Sequence, residues 1–148
     1  MKRILALCLF VAFAGSASIA DARSGSKLAP ADEYFGSLKL SILGIRNTIR
    51  DVGANLEVDM SRWEHLSNKA EFAEDALHDW QRKYPGDTWL PKTIFALERL
   101  YAKIDNEEGH RRRVAATIWI VHDFPGTCYA RVGREELETG HTLQANCE

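Results

Sequence analysis

The sequence lacks the short motifs that announce bound chemistry: no Gly-rich phosphate loop, no zinc-type Cys or His spacing, no haem-attachment pair and no Gly-x-Ser-x-Gly elbow. No catalytic, metal-ligating or cofactor-binding residue is therefore assigned, and the chain reads as a non-enzyme with no cofactor. Neither sign of charge dominates. Nineteen Lys and Arg against 21 Asp and Glu give a formal charge of −2, which is no nucleic-acid footprint. Cysteine is scarce: of three, Cys8 falls in an N-terminal apolar run, leaving Cys128 and Cys147. Proline is scarce too, and two of the four prolines sit in matching contexts.

What is present begins with a tripartite leader over residues 1–20. Lys2 and Arg3 precede an apolar run over residues 4–14, followed by small residues up to Ala20. The run is too short for a membrane-spanning helix and fits a secretory signal cleaved near Ala20 or Ala22. Bulky Leu7 before Cys8 argues against lipid attachment. Export to the periplasm or beyond follows as an expectation. The mature chain has no further apolar run long enough to cross a membrane. Oxidation is possible there, so Cys128 and Cys147 are a candidate disulfide, with free thiols or an intermolecular bridge as the alternatives.

Residues 21–29 read as a linker, residues 30–137 as a helical repeat-like domain and residues 138–148 as an irregular tail. A first helix is expected from Pro30, with a seam of Phe35, Leu38, Ile42, Ile45, Ile49 and Val52 in steps of three and four. Gly36 and Gly44 suggest close approach of another helix, and Gly53-Ala54-Asn55 an end or a bend. Asp59 or Ser61 is expected to cap a second helix whose seam includes Trp63, Leu66, Ala70, Leu77 and Trp80. Asp87 or Thr88 opens a third with Leu90, Ile94, Leu97, Tyr101 and Ile104 inward. Asp105 and Glu108 read as a capping box for a fourth that turns Val114, Ile118 and Val121 inward. Residues 114–121 also suit a strand, but no partner strand exists, so helix is expected. A short fifth helix covers residues 130–137.

Two junctions punctuate this series. Tyr84-Pro85-Gly86 and Phe124-Pro125-Gly126 each close one amphipathic segment, and each is followed by a short polar stretch, an aromatic and a new helix. They resemble the repeat junctions of tetratricopeptide-like proteins of the bacterial envelope, the outer-membrane-assembly lipoproteins and cell-division coordinators. The likeness covers about residues 60–137, and the spacing of about 40 residues between Pro85 and Pro125 exceeds the usual ~34. It implies an all-α fold of stacked antiparallel hairpins, about two of them plus a capping helix. It also implies a surface that binds a protein or peptide partner without chemistry of its own. So few units bury their apolar faces incompletely, and dimerisation or docking onto a partner would relieve the shortage.

Four groups of residues are candidates for function. Trp89, at a junction, and Trp119, off the expected inward stripe, are candidate partner anchors, whereas Trp63 and Trp80 belong to the core. Arg111, Arg112 and Arg113 are a candidate patch for an anionic partner, against a reading as a solvated face paired with Glu107 and Glu108. Glu74 or Asp75 with His78 shares one helix face, but a metal site in a bundle needs a matching Glu-x-x-His elsewhere, and none exists. His122-Asp123 has no identifiable nucleophile partner. The reading is an exported interaction module; a self-associating structural bundle, or a ligand- or metal-binding bundle using the acidic face of the second helix, are the alternatives.

Overall fold

The computed structural model describes residues 28–147, so the leader and most of the expected linker lie outside the described residues. The fold is all-α: α1 (Ile42–Val58), α2 (Trp63–Lys83), α3 (Trp89–Tyr101), α4 (Glu107–Asp123) and α5 (Cys128–Thr139), preceded by a minimal hairpin of β1 (Tyr34–Phe35) and β2 (Leu40–Ser41). Among the described residues no helix is long and apolar enough to cross a membrane.

The hairpin replaces the first turns of the expected first helix. Gly36 and Lys39 adopt φ values of +68° and +53°, left-handed backbone that a helix excludes. The Asp79 and Asp75 carboxylates accept the N–H groups of Gly36 (3.0 Å) and Ser37 (2.8 Å), fastening the turn to α2 and holding both acids below their usual range. A Cβ on Gly36 would lie 2.8 Å from the Ala76 Cα. The close approach expected at Gly36 is thus real, but it joins a turn to α2 rather than two helices. Phe35 is fully buried and stacks on Trp80 with ring centroids 5.7 Å apart, while Leu38 at the turn is exposed.

Helix α1 starts where the Ser41 hydroxyl accepts the Gly44 N–H, and it runs through Gly53-Ala54-Asn55 unbroken to Val58. Asp59 caps a 3-10 turn at Met60–Arg62 that leads into α2. Helix α4 is capped by Asn106, whose side chain accepts the Gly109 N–H, and not by the Asp105–Glu108 box. Residues 114–121 are helical. Helix α5 is capped by Thr127 and stops at Gly140, which takes φ +74°.

Each helix packs on the next, and α3 also packs on both α1 and α5. The Trp63 ring meets Tyr101 edge-on, setting the start of α2 against the end of α3. Arg46 reaches Trp89 and Lys103 pairs with Glu57, so α1 and α3 run the same way. Phe95 against Tyr129 and Arg99 against Glu136 give α3 and α5 a common direction too. Trp80, Leu77, Leu90, Ile94, Leu97 and Ile120 are fully buried. Truncating a side chain of that kind costs about 2–5 kcal/mol, so these seams carry much of a domain's net stability.

The inward face of α4 departs from expectation. Arg113, Ala116, Thr117 and Ile120 are buried, Val114 and Val121 are half-buried, and Ile118 is exposed. The stripe is rotated because Arg113 turns toward α3, where the buried Glu98 carboxyl stands 3.9 Å from it.

Candidate functional site

The sequence candidates scatter once folded. Trp119 stacks on His78 with ring centroids 3.9 Å apart and donates its indole N–H to Gln81, so it fastens α4 to α2 and is not a free anchor. The three arginines diverge and form no common patch. Arg111 is exposed; Arg112 is half-buried against Glu108 (2.9 Å), Glu71 (2.6 Å) and Glu74 (3.8 Å); Arg113 is buried 3.9 Å from Glu98. The local pairing expected with Glu108 is present, and the partners on α2 were not legible from spacing along α4.

The acidic face of α2 is committed to the fold. Glu74 accepts the Tyr101 hydroxyl at 2.6 Å; burial of the phenol, then the Glu74 charge and that bond, raise the Tyr101 pKa. Asp75 holds the hairpin turn, and His78 lies against Trp119. Among the described residues no group of three or more His, Cys, Asp or Glu side chains is placed to hold a metal ion. His122 faces only its neighbour Asp123, and both sit on the surface.

Trp89 is different. It is 43% exposed at the start of α3, with the Arg46 guanidinium 5.0 Å and the Lys92 ammonium 5.8 Å from its ring centroid. Those two cations line a groove of about 690 Å3 between α1 and α3, so the indole borders it. The floor is apolar, with Ile49, Phe95 and Leu100. Small residues keep it open: a Cβ on Gly53 would lie 3.6 Å from Leu100, and Ala54 and Ala96 add little bulk. Five cations, Arg46, Arg50, Lys92, Arg99 and Lys103, line it against one acid, Glu57.

The third wall is the start of α5 with the C-terminal tail. Tyr129, Ala145 and Cys147 line the groove, and a disulfide joins Cys147 to Cys128 with Cα atoms 5.7 Å apart. The Leu143 N–H donates to Glu136 at 2.7 Å, fixing the tail a second time. The intrachain bridge is therefore the outcome among the alternatives that the sequence leaves open.

Behind the floor lies a buried charge cluster. Arg99 binds Glu136 and stands 3.2 Å from Glu98, and both carboxylates are at most 1% exposed. Both Glu98 oxygens, one Glu136 oxygen and one Arg99 nitrogen have no hydrogen-bond partner. Burial pushes the Glu98 carboxyl up to about 7; the Arg99 and Arg113 charges offset it only partly, and the Glu136 charge adds to it. Arg99 belongs to both the cluster and the groove, so the groove wall is set by charges the solvent does not reach.

The groove residues come from α1, from α3 and the turn after it, from the start of α5 and from the tail. A signal existed in the sequence: Arg46 and Arg50 are one turn apart on α1, Lys92 and Arg99 about two turns apart on α3, and Lys103 follows just past its end. What spacing does not supply is that these two helices are neighbours. Compared with protein-family models, with curated proteins and with solved structures, the chain matches none of them.

Proposed function

We propose that this chain is an exported, non-catalytic helical module that binds a segment of another protein in the groove between α1 and α3. The groove itself carries the reading: it is about 20 Å long, judged from the 1.5 Å rise along residues 43–57, with an apolar floor, charged walls and a half-exposed Trp beside it. An aromatic anchor over an apolar trough is how extended or helical segments are held. The order of packing, with α1, α3 and α5 running one way past α2 and α4, is compatible with tetratricopeptide-like stacking. The disulfide suits an oxidising compartment and so supports export.

Affinity capture from the cell envelope tests this. The unaltered protein is expected to retain a partner that Ala96→Trp, which fills the groove, releases; identical partner lists for the two would overturn it. Export is checked separately by the mass of the protein recovered from the culture, which should lack residues up to Ala20 or Ala22.

A second reading, self-association, has one observation in its favour. Exposed Leu38 and Phe72 rim a cleft of about 280 Å3 with Leu40 and Leu66. Light scattering on a sized column decides between them: a dimer that Phe72→Glu dissociates supports the structural bundle, and a monomer removes it.

A further inference from the structure

We propose that the segment taken by this groove is an acidic polypeptide, with a carboxylate seated between Arg46 and Lys92 beside Trp89 and apolar side chains along Ile49, Phe95 and Leu100. The inference rests on the interaction-module reading and gives the partner its chemistry.

The argument is one of charge complementarity and placement. Three of the five groove cations are already neutralised: Arg50 by Asp51 at 3.1 Å, Lys103 by Glu57, and Arg99 by Glu136. Among the described residues Arg46 and Lys92 pair with no carboxylate, and both are exposed. Both lie over the same indole, so two positive charges are held on a rigid apolar platform at the mouth of the trough. A guanidinium and an ammonium on one indole, neither with a carboxylate partner among the described residues, both gain from an anion brought to the mouth; a bidentate carboxylate–Arg pair is the strongest geometry on offer.

The length of the trough selects a chain over a small anion. Its ~20 Å accommodates about six extended residues at ~3.3 Å each. An acidic side chain or C-terminal carboxylate beside Trp89 then places its neighbours on the apolar floor. Against an overall charge of −2, this local cationic mouth attracts an acidic segment.

The test uses the full disulfide-bonded chain and a phage-displayed library of random peptides of about twelve residues. Selected peptides are expected to be rich in Asp, Glu and apolar residues. Their affinity, read by fluorescence anisotropy of labelled copies, should fall at least tenfold in Arg46→Ala/Lys92→Ala and fall further as salt rises through the ~0.1 M range, where screening shortens to ~10 Å. Both side chains are exposed, so the double variant should keep its helical circular dichroism.

Peptides that Ala96→Trp releases but that are neutral or basic, or acidic ones indifferent to the Arg46/Lys92 pair, overturn the acidic segment while leaving the groove reading intact. A library that yields no peptide, or only peptides indifferent to Ala96→Trp, overturns the groove reading itself. Co-sedimentation with phosphatidylglycerol vesicles that needs Arg46 and Lys92 would assign the pair to a lipid surface and remove the polypeptide. Concentration-dependent dimerisation lost in the same variant would assign it to the acidic face of a second copy.

Discussion

At the first aromatic-Pro-Gly junction the Tyr84 N–H donates to Trp80 O at 2.8 Å and the Asp87 N–H to Tyr84 O at 3.0 Å; at the second, Phe124 donates to Ile120 O and Thr127 to Phe124 O, both at 3.0 Å. The backbones coincide and the fastenings do not. Asp87 is 1% exposed and its carboxylate accepts three donors: the Trp80 indole at 3.0 Å, the Trp89 N–H at 3.0 Å and the Ala29 N–H at 2.9 Å. Thr127, in the matching place, caps α5, and the residue after it, Cys128, carries the disulfide. Each junction thus ties down one end of the described chain, the first through a buried carboxylate and the second through a covalent bond. One turn chemistry stops a helix in both places, and the residues just after the Pro-Gly decide which terminal segment is held.

The units behind the junctions differ in the same sense. The first closes over Phe35, Leu77, Trp80, Leu90 and Ile94, an apolar interior with one buried acid at its edge. The second encloses Glu98, Arg113, Thr117 and Glu136. Apolar packing needs no partner of set geometry, whereas buried charges hold only while every member stays in place. The second unit accordingly has a disulfide and a tail hydrogen bond around its charges.

The largest break in this comparison comes from Asp87→Ala. Three donors lose an acceptor, one of them on fully buried Trp80, and the loss expected is about 4 kcal/mol of unfolding free energy by chemical denaturation. Asp87→Asn keeps one carbonyl acceptor and should cost about half as much. A loss below about 1 kcal/mol for the Ala variant would show that Trp80 packing alone holds the first junction.

Next comes the covalent fastening. Cys128→Ser/Cys147→Ser opens a loop with a sequence separation of 19, which lowers stability by about 3 kcal/mol in the chain-entropy model. Because Ala145 and Cys147 also wall the groove, the same variant should weaken whatever the groove binds, even at temperatures where it stays folded. Unchanged stability on substitution, or an unchanged mass shift on alkylation with and without reductant, would remove the bridge from the account.

Glu98→Gln sharpens the contrast between interiors. The Glu98 carboxyl is raised from an ordinary 4.5 to about 7 in the folded chain, so between those values the folded state keeps a proton that the unfolded state has released. Stability from this group is fully present below about 4.5 and is lost as pH rises through about 7. The Gln variant, neutral throughout, should therefore gain on the unaltered protein as pH climbs across that window, by about 3 kcal/mol at the top of it. A difference between the two that stays flat from pH 4 to pH 8 would mean that Arg99 and Arg113 keep Glu98 ionised.

Legibility in the sequence follows the same division. Trp63, Leu66, Ala70, Leu77 and Trp80 are readable because one helix face at steps of three and four meets an apolar neighbour. Phe35 is not, since two-residue strands leave no period of two to detect, and its distance from Leu38 and Ile42 imitates a helix. The inward stripe of α4 is misread because an arginine faces in; polarity argues outward, and only the position of Glu98 on another helix reverses it. The groove is the least legible feature. Trp89 was in view, but the partners that give it meaning, Arg46 and Lys92, look like ordinary surface until α1 and α3 are known to be neighbours.

The smallest expected effect is also the most direct test of whether the two junctions are fastened differently. Thr127 accepts the Ala130 N–H at 3.1 Å and donates its hydroxyl to Phe124 O at 2.8 Å, so Thr127→Ala removes a helix cap and costs about 1 kcal/mol. Asp placed there instead, Thr127→Asp, can still cap α5, but no indole stands where Trp80 does in the first junction, because Ile120 fills that place and offers no donor. The Asp variant should thus be within about 0.5 kcal/mol of the Thr protein and never approach the worth of Asp87. If thermal or chemical unfolding gave Thr127→Asp a gain of several kcal/mol, the strength of the first junction would belong to the carboxylate alone, and the indole and Ala29 donors that surround it would lose their place in the argument.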